Sequence, residues 1–301
     1  MIDRLPQTTG DEMKWEGNRE SENVEDVRGS GGGSGGGGIG GRSIGIGSIA
    51  IALVASYFFG ISPATVLSLL GGGSAPTQTA PAPHAPATDR STRLVATVLA
   101  DTEDVWTKLF AERGAKYVAP KLRIFSGSTP TGCGAGQTAS GPFYCPSDQK
   151  VYIDLAFYKL MQQRFNVSSE FAQAYVIAHE IGHHVQNLSG TMEKVDAARQ
   201  RASSAQSNAL SVRVELQADC YAGVWAFHAN QSRSILEAGD VEGALAAATA
   251  IGDDALQRQA QGYVVPDSFT HGTSEQRVRW FKRGIQSGKM ADCNTFETRS
   301  L

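Results

Sequence analysis

Apolar positions recur at three- and four-residue steps along most of the chain after residue 89, a period that predicts helices. Over 90–113 the spacing is carried by Leu94, Val98, Leu99, Val105 and Leu109, and it stops at Gly114. Further helical stretches are expected at 155–165, 169–188, 192–205, 208–228, 241–260 and 274–286. Two short segments read as strands: 116–125, and 150–155, where Val151, Ile153 and Leu155 alternate. A Gly-rich loop holding Cys133 and Cys145 joins them. The pattern describes an α+β domain over 89–301, helix-dominated with a small sheet.

The first 88 residues follow other rules. Residues 1–29 are charged, mixed in sign and poor in large apolar groups, so they are expected to be disordered. Gly31 to Gly41 is almost pure Gly and Ser, a flexible linker, which makes 1–42 a disordered tail. Residues 43–70 contain no charge, and the stretch from Ile44 to Ile61 is about the length needed to cross a bilayer core. Tyr57 and Phe58 suit an interfacial belt, so one transmembrane helix is expected in 43–70, followed by a Pro/Ala/Thr-rich tether at 71–88. Arg42 and Arg28 precede that span, whereas Asp89 and Arg90 are the first charges after it. Positive-inside reasoning then gives a single-pass membrane protein with a cytoplasmic N-terminus and an extracytoplasmic C-terminal domain, periplasmic or extracellular.

Net charge is −3, and no basic surface argues for a nucleic-acid partner. Of the pairings open to four cysteines, Cys133 with Cys145 and Cys220 with Cys293 are expected, which fits an oxidising compartment. No Cys-x-x-Cys pair exists to suggest a zinc-thiolate site.

The chemistry concentrates in Ser168 to Gly190. Ser168 suits an N-cap, and Phe171, Ala174, Tyr175, Ala178, Ile181 and Val185 make an apolar helix face. His179 and His183 stand one turn apart beside it, so both imidazoles project in nearly the same direction, as two nitrogen ligands of one zinc require. Glu180 lies one residue round, placed to take a proton from water without being a ligand. Gln186 and Ser189 stand where the extended metzincin pattern needs Gly and His, so a third ligand must come from elsewhere. On a second expected helix Glu215 and Asp219 are one turn apart among Ala218, Tyr221, Ala222, Val224 and Trp225. Glu215 can reach the metal while Asp219 accepts the other N–H of a ligand histidine. His184 points away from His183 and reads as structural.

HEIGHH at 179–184 together with VELQADCYAG at 214–223 resembles the bacterial family of putative neutral zinc metallopeptidases, which is similar to gluzincins. KWEGNRESENVED at 14–26, GPFYCPSDQKVYID at 141–154 and THGTSEQRVRWF at 270–281 extend the likeness over most of the chain outside the linkers. The resemblance implies a zincin-like fold, Zn2+ held by His179, His183 and Glu215, Glu180 as general base, Asp219 behind the ligands, and a peptide or protein substrate.

Two further groups stay open at this level. Thr273 to Gln276 reads as a capping box, with His271 just before it. Either His271 or Arg277 approaches the metal site and stabilises an oxyanion, or His271 shapes a turn and Arg277 pairs with a helix carboxylate. Strand 150–155 is a candidate edge for pairing with an extended peptide. The expected function is a membrane-anchored zinc endopeptidase. The alternatives are a zinc-binding, non-hydrolytic membrane protein that docks partners, against which Glu180 argues, and a hydrolase of non-peptide bonds.

Overall fold

The computed structural model describes residues 13–28, 89–138 and 141–301. In chain order its elements are β1 (Val24–Asp26), α1 (Arg90–Ala111), β2 (Lys121–Phe125), β3 (Ser128–Thr131), β4 (Gly134–Gln137), β5 (Phe143–Cys145), β6 (Lys150–Asp154), α2 (Ala156–Phe165), α3 (Glu170–Leu188), α4 (Thr191–Arg199), α5 (Ser204–Arg233), α6 (Asp240–Ala250), α7 (Asp253–Gln261) and α8 (Ser274–Ser287). The fold is a helix-dominated α+β domain with small sheets, as the periodicity implies. One sheet has the order β1-β2-β6-β5, the first three strands parallel and β5 antiparallel; β3 and β4 form a separate hairpin. Strand β6 pairs on both sides, with β2 and β5, so it is not an edge open to a peptide. The Gly-rich stretch expected as loop therefore supplies the β3–β4 hairpin and the edge strand β5. Cys133 bonds Cys145 across it, and Cys220 bonds Cys293, the expected pairings.

The core is a helical layer centred on α5, which packs on α3 and α8. Ser169 rather than Ser168 caps α3, accepting from Ala172 N. Thr273 and Gln276 cap α8 reciprocally. Two glycines let these helices touch backbone to backbone. A Cβ on Gly284 of α8 would stand 2.0 Å from Cys220 O of α5, and one on Gly182 of α3 would stand 3.0 Å from Ala218 Cα and O. The helix expected over 241–260 is interrupted by Ile251 and Gly252, because Gly252 lies against the start of α8; a Cβ there would meet Ser274 N at 2.5 Å.

The expected disordered tail is corrected for residues 13–28, which are built into the domain. Trp15 is 1% exposed and donates from Nε1 to Glu170 Oε2 at 2.6 Å, at the first turn of α3. Arg90 covers its ring, 5.1 Å from the centroid, and binds Glu170 Oε1 at 2.9 Å. Ser21, Asn23 and Arg19 converge on Glu103 of α1. Strand β1 adds to the sheet in parallel, and Glu25 bridges Arg123 and Lys150. The segment is poor in apolar groups because most of its contacts are ionic and main-chain. A composition count finds too little to bury, whereas the partners lie elsewhere in the chain.

That placement also corrects the expected membrane topology. Among the described residues no helix is long and apolar enough to cross a membrane, and the stretch 43–70 lies outside them, as do the Gly-rich linker and the 71–88 tether. The longest helix, α5, carries Arg213, Glu215, Asp219 and Arg233. Moreover Arg28 Nη2 binds Asp89 Oδ2 at 2.8 Å, and β1 pairs with β2. One crossing between residues 28 and 89 would put these partners on opposite sides of a bilayer. The single-pass anchor, with its cytoplasmic N-terminus and extracytoplasmic domain, is therefore withdrawn.

Trp15→Ala is expected to destabilise the full-length chain by about 3–5 kcal/mol, read as a lowered urea midpoint at unchanged slope. A midpoint equal to wild type would mean that the segment is not part of the cooperative unit.

Candidate metal centre

Helices α3 and α5 face each other where Gly182 meets Ala218, and the side chains around that contact form the site. His179 and His183 from α3 and Glu215 from α5 bring one ligand-type atom each to within 4.8 Å of one another. His179 Nε2 lies 3.1 Å and His183 Nε2 3.6 Å from the same Glu215 oxygen, Oε2. Both histidines are turned by a partner on the other nitrogen. His179 Nδ1 is 2.9 Å from Asp219 Oδ1, and His183 Nδ1 is 2.9 Å from Gln186 Oε1. With each Nδ1–H donated to oxygen, each Nε2 keeps its lone pair for the centre. Gln186 is itself held, donating to Val214 O and Gln217 Oε1, so its amide oxygen is the end that faces His183. Two imidazole nitrogens and a carboxylate oxygen, all inward-facing and with their outer partners present, fit a zinc ion that keeps a position for water.

Behind the pair stands a buried ionic cluster. Asp219, fully buried, receives Arg277 Nε at 2.8 Å on Oδ2 and Arg277 Nη2 at 2.9 Å on Oδ1; Tyr175 donates its hydroxyl to Oδ1 at 2.5 Å. Burial would raise the Asp219 carboxyl, but Arg277 and His179 bring it down to about 2. Burial likewise favours neutral His179, and Asp219 and Glu215 outweigh it, lifting that imidazole to about 10. Glu215 is held well below the usual carboxylate range by His183 and His179 against its own burial, with His271 adding to them. Arg277 thus sits on the Nδ1 side of His179, tied bidentately to Asp219.

Glu180 follows His179 on α3. It is buried, and among the described residues its carboxylate makes no hydrogen bond within the protein. His271 lies in the loop before α8, and its charge and that of Glu215 act on each other. Asp253, at the start of α7, fixes it: Oδ2 accepts the backbone N–H of Thr270, His271 and Gly272 at 2.7, 2.6 and 3.0 Å, while Oδ1 is 3.3 Å from His271 Nδ1. Sequence reasoning missed Asp253, which falls inside the continuous helix expected over 241–260, and treated Gln186 only as a departure from another motif. His184 is structural: it is fully buried between Tyr144 Oη at 3.0 Å and Val118 O at 2.7 Å.

The model of a family described as putative neutral zinc metallopeptidase matches residues 13–296, which includes the N-terminal segment. Uncharacterized protein YpfJ of Escherichia coli (strain K12) is 51% identical over 284 residues, 94% of this chain and 99% of its own length. Uncharacterized protein Rv2575 of Mycobacterium tuberculosis (strain H37Rv) is 43% identical over 195 residues, 62% of this chain and 65% of its own. No solved structure matches.

Two outcomes are expected from the cluster. Protons on the His179 and His183 nitrogens compete with a cation for the same Nε2 atoms. His183 is raised and His179 is lifted to about 10, so the protonated form of His179 dominates at neutral pH and is lost only as pH rises through about 10. Zinc uptake at pH 7 should therefore release protons, and affinity should fall as pH drops; calorimetry in buffers of different ionisation enthalpy reads the release, and a buffer-independent heat would contradict it. Asp219→Ala leaves Arg277 charged and buried without its partner, at a cost of about 3–5 kcal/mol in the denaturation free energy. An unchanged midpoint would show that the pair carries no such burden.

Proposed function

The chain belongs to the putative neutral zinc metallopeptidases, and on that footing we propose that it is a zinc-dependent endopeptidase using Glu180 as general base. The observation that carries the reading is the convergence of His179 Nε2, His183 Nε2 and Glu215 Oε2, with Glu180 next to His179 on the same helix. His179, His183 and Glu215 would hold the ion. When bound, zinc supplies a Lewis acid for the substrate carbonyl and a water of lowered pKa.

The remaining work falls to side chains. Glu180 accepts the proton of the attacking water, then passes it to the departing amine as the peptide bond breaks. His271 is held through Nδ1 by Asp253, and its other nitrogen would hydrogen-bond the carbonyl oxygen as negative charge develops there. Arg277 acts at one remove. It fixes Asp219, which fixes His179, and its guanidinium is already committed to that carboxylate. Its role is therefore positioning rather than contact with the oxyanion. The narrow gap between α3 and α5 keeps both ligand histidines partly shielded, where charge–charge interactions are strong.

Full-length protein is expected to carry one zinc per chain and to cleave an unfolded protein substrate. Glu215→Ala should lose the zinc. Glu180→Gln should keep it and lose turnover by about 10²–10⁴-fold, and His271→Ala should lower kcat by about 10²–10³-fold with zinc retained. Zinc bound tightly by a wild type that cleaves no substrate would favour the docking alternative. Folded wild type with no affinity for zinc would sink the metallopeptidase reading.

A further inference from the structure

The hydrogen bonds that orient His183 do not stop at Gln186. Gln186 Nε2 donates to Gln217 Oε1 at 3.1 Å, and Gln217 Nε2 donates to Cys293 O at 3.0 Å. Cys293 ends a short 3-10 helix, Met290–Cys293, that follows α8. Three points along α5 fasten this segment: Thr295 Oγ1 donates to Arg213 O at 2.7 Å, Gln217 reaches Cys293 O, and Cys220 bonds Cys293 through sulfur. Positions 213, 217 and 220 recur at steps of four and three, which puts them on one side of the helix. The middle fastener also reaches toward His183.

Direction matters in this relay. An amide offers oxygen at one end and N–H at the other, whereas a backbone carbonyl only accepts. Cys293 O therefore takes the amino end of Gln217, which turns Gln217 Oε1 to Gln186. Gln186 gives its own amino end to that oxygen and to Val214 O at 2.7 Å, leaving Gln186 Oε1 2.9 Å from His183 Nδ1. Reversing either amide would set oxygen against oxygen in a buried place, where an unpaired polar group is costly. Gln186 and Cys293 are fully buried, and Gln217 is 6% exposed.

We propose that the segment after α8 is a positioning strap for the metal centre, and that Gln217 is the positioning residue through which it acts. The carbonyl of Cys293, pinned by the disulfide, sets both amides; they keep the Nδ1–H of His183 donated and its Nε2 turned to Glu215. Helix α5 then orients both histidines, His179 directly through Asp219 and His183 through this relay. The inference rests on His179, His183 and Glu215 being the zinc site, and it gives Gln217 and Cys293 a role that no local spacing indicates.

Zinc affinity of the full-length protein, measured by competition with a chelator, tests it through double-mutant cycles. Gln217→Met keeps most of the side-chain volume and removes both hydrogen bonds. It should weaken zinc binding about 10–100-fold and shift the visible bands of the Co2+-substituted protein, with the fold retained by circular dichroism. On top of Gln186→Leu, which cuts the relay next to His183, it should weaken zinc no further. Cys220→Ala with Cys293→Ala should weaken zinc about tenfold, and Gln217→Met should again add little. Wild-type zinc affinity and unchanged Co2+ bands in Gln217→Met would overturn the proposal, as would a full, independent loss on the Gln186→Leu background. Wild-type affinity without the disulfide would overturn the strap; if that chain does not fold, the two glutamine variants decide alone. A wild type that takes up no zinc would fail the metal-site reading itself, before any variant is compared, and this inference with it.

Discussion

The arrangement depends on one buried charge. Asp219 has no exposed surface, and an ionised carboxylate in such a place costs several kcal/mol unless it is paired and hydrogen-bonded. Its two oxygens receive Arg277, Tyr175 and His179, which come from α8 and α3, while Asp219 itself belongs to α5. Satisfying that carboxylate therefore fixes three helices relative to one another. Gly182 and Gly284 make the distances possible, because neither helix could approach α5 so closely with a side chain at those points.

From this packing the site follows with few further requirements. Once Asp219 takes one nitrogen of His179, the ring presents the other toward Glu215; Gln186 does the same for His183. The two outer partners are chemically unlike, one anionic and one neutral, so the histidines are not equivalent. His179 is the more strongly raised, and the anionic partner makes it the more basic donor. Glu180, one residue along, takes no part in this hydrogen-bond network.

The N-terminal segment is part of the same machine. Trp15 and Arg90 both bind Glu170, the first residue of α3, so the helix that carries His179 and His183 is anchored at its start by residues distant in sequence. A carboxylate in that first turn is favoured by the helix dipole, which sums with its two hydrogen-bonded partners. Residues 13–28 share one sheet and one core with the described residues after 89.

What the sequence by itself determined is whatever depends on local spacing. The three- and four-residue apolar steps placed most of the helices, and His179 and His183 had to share a face because they are one turn apart on one helix. Glu215 and Asp219 were legible for the same reason. The pairing of the cysteines was also anticipated, and the structure forms it. Tertiary structure alone decided what depends on distance between elements: that Gln186 rather than a charged group orients His183, that Asp253 holds the His271 loop, that β6 is interior, and that Arg277 turns toward Asp219. It also decided that residues 13–28 fold. Their charges look solvated in a linear reading, and only when Glu103, Glu170 and the β2 edge are brought beside them do they acquire the partners that offset the entropy of ordering the chain.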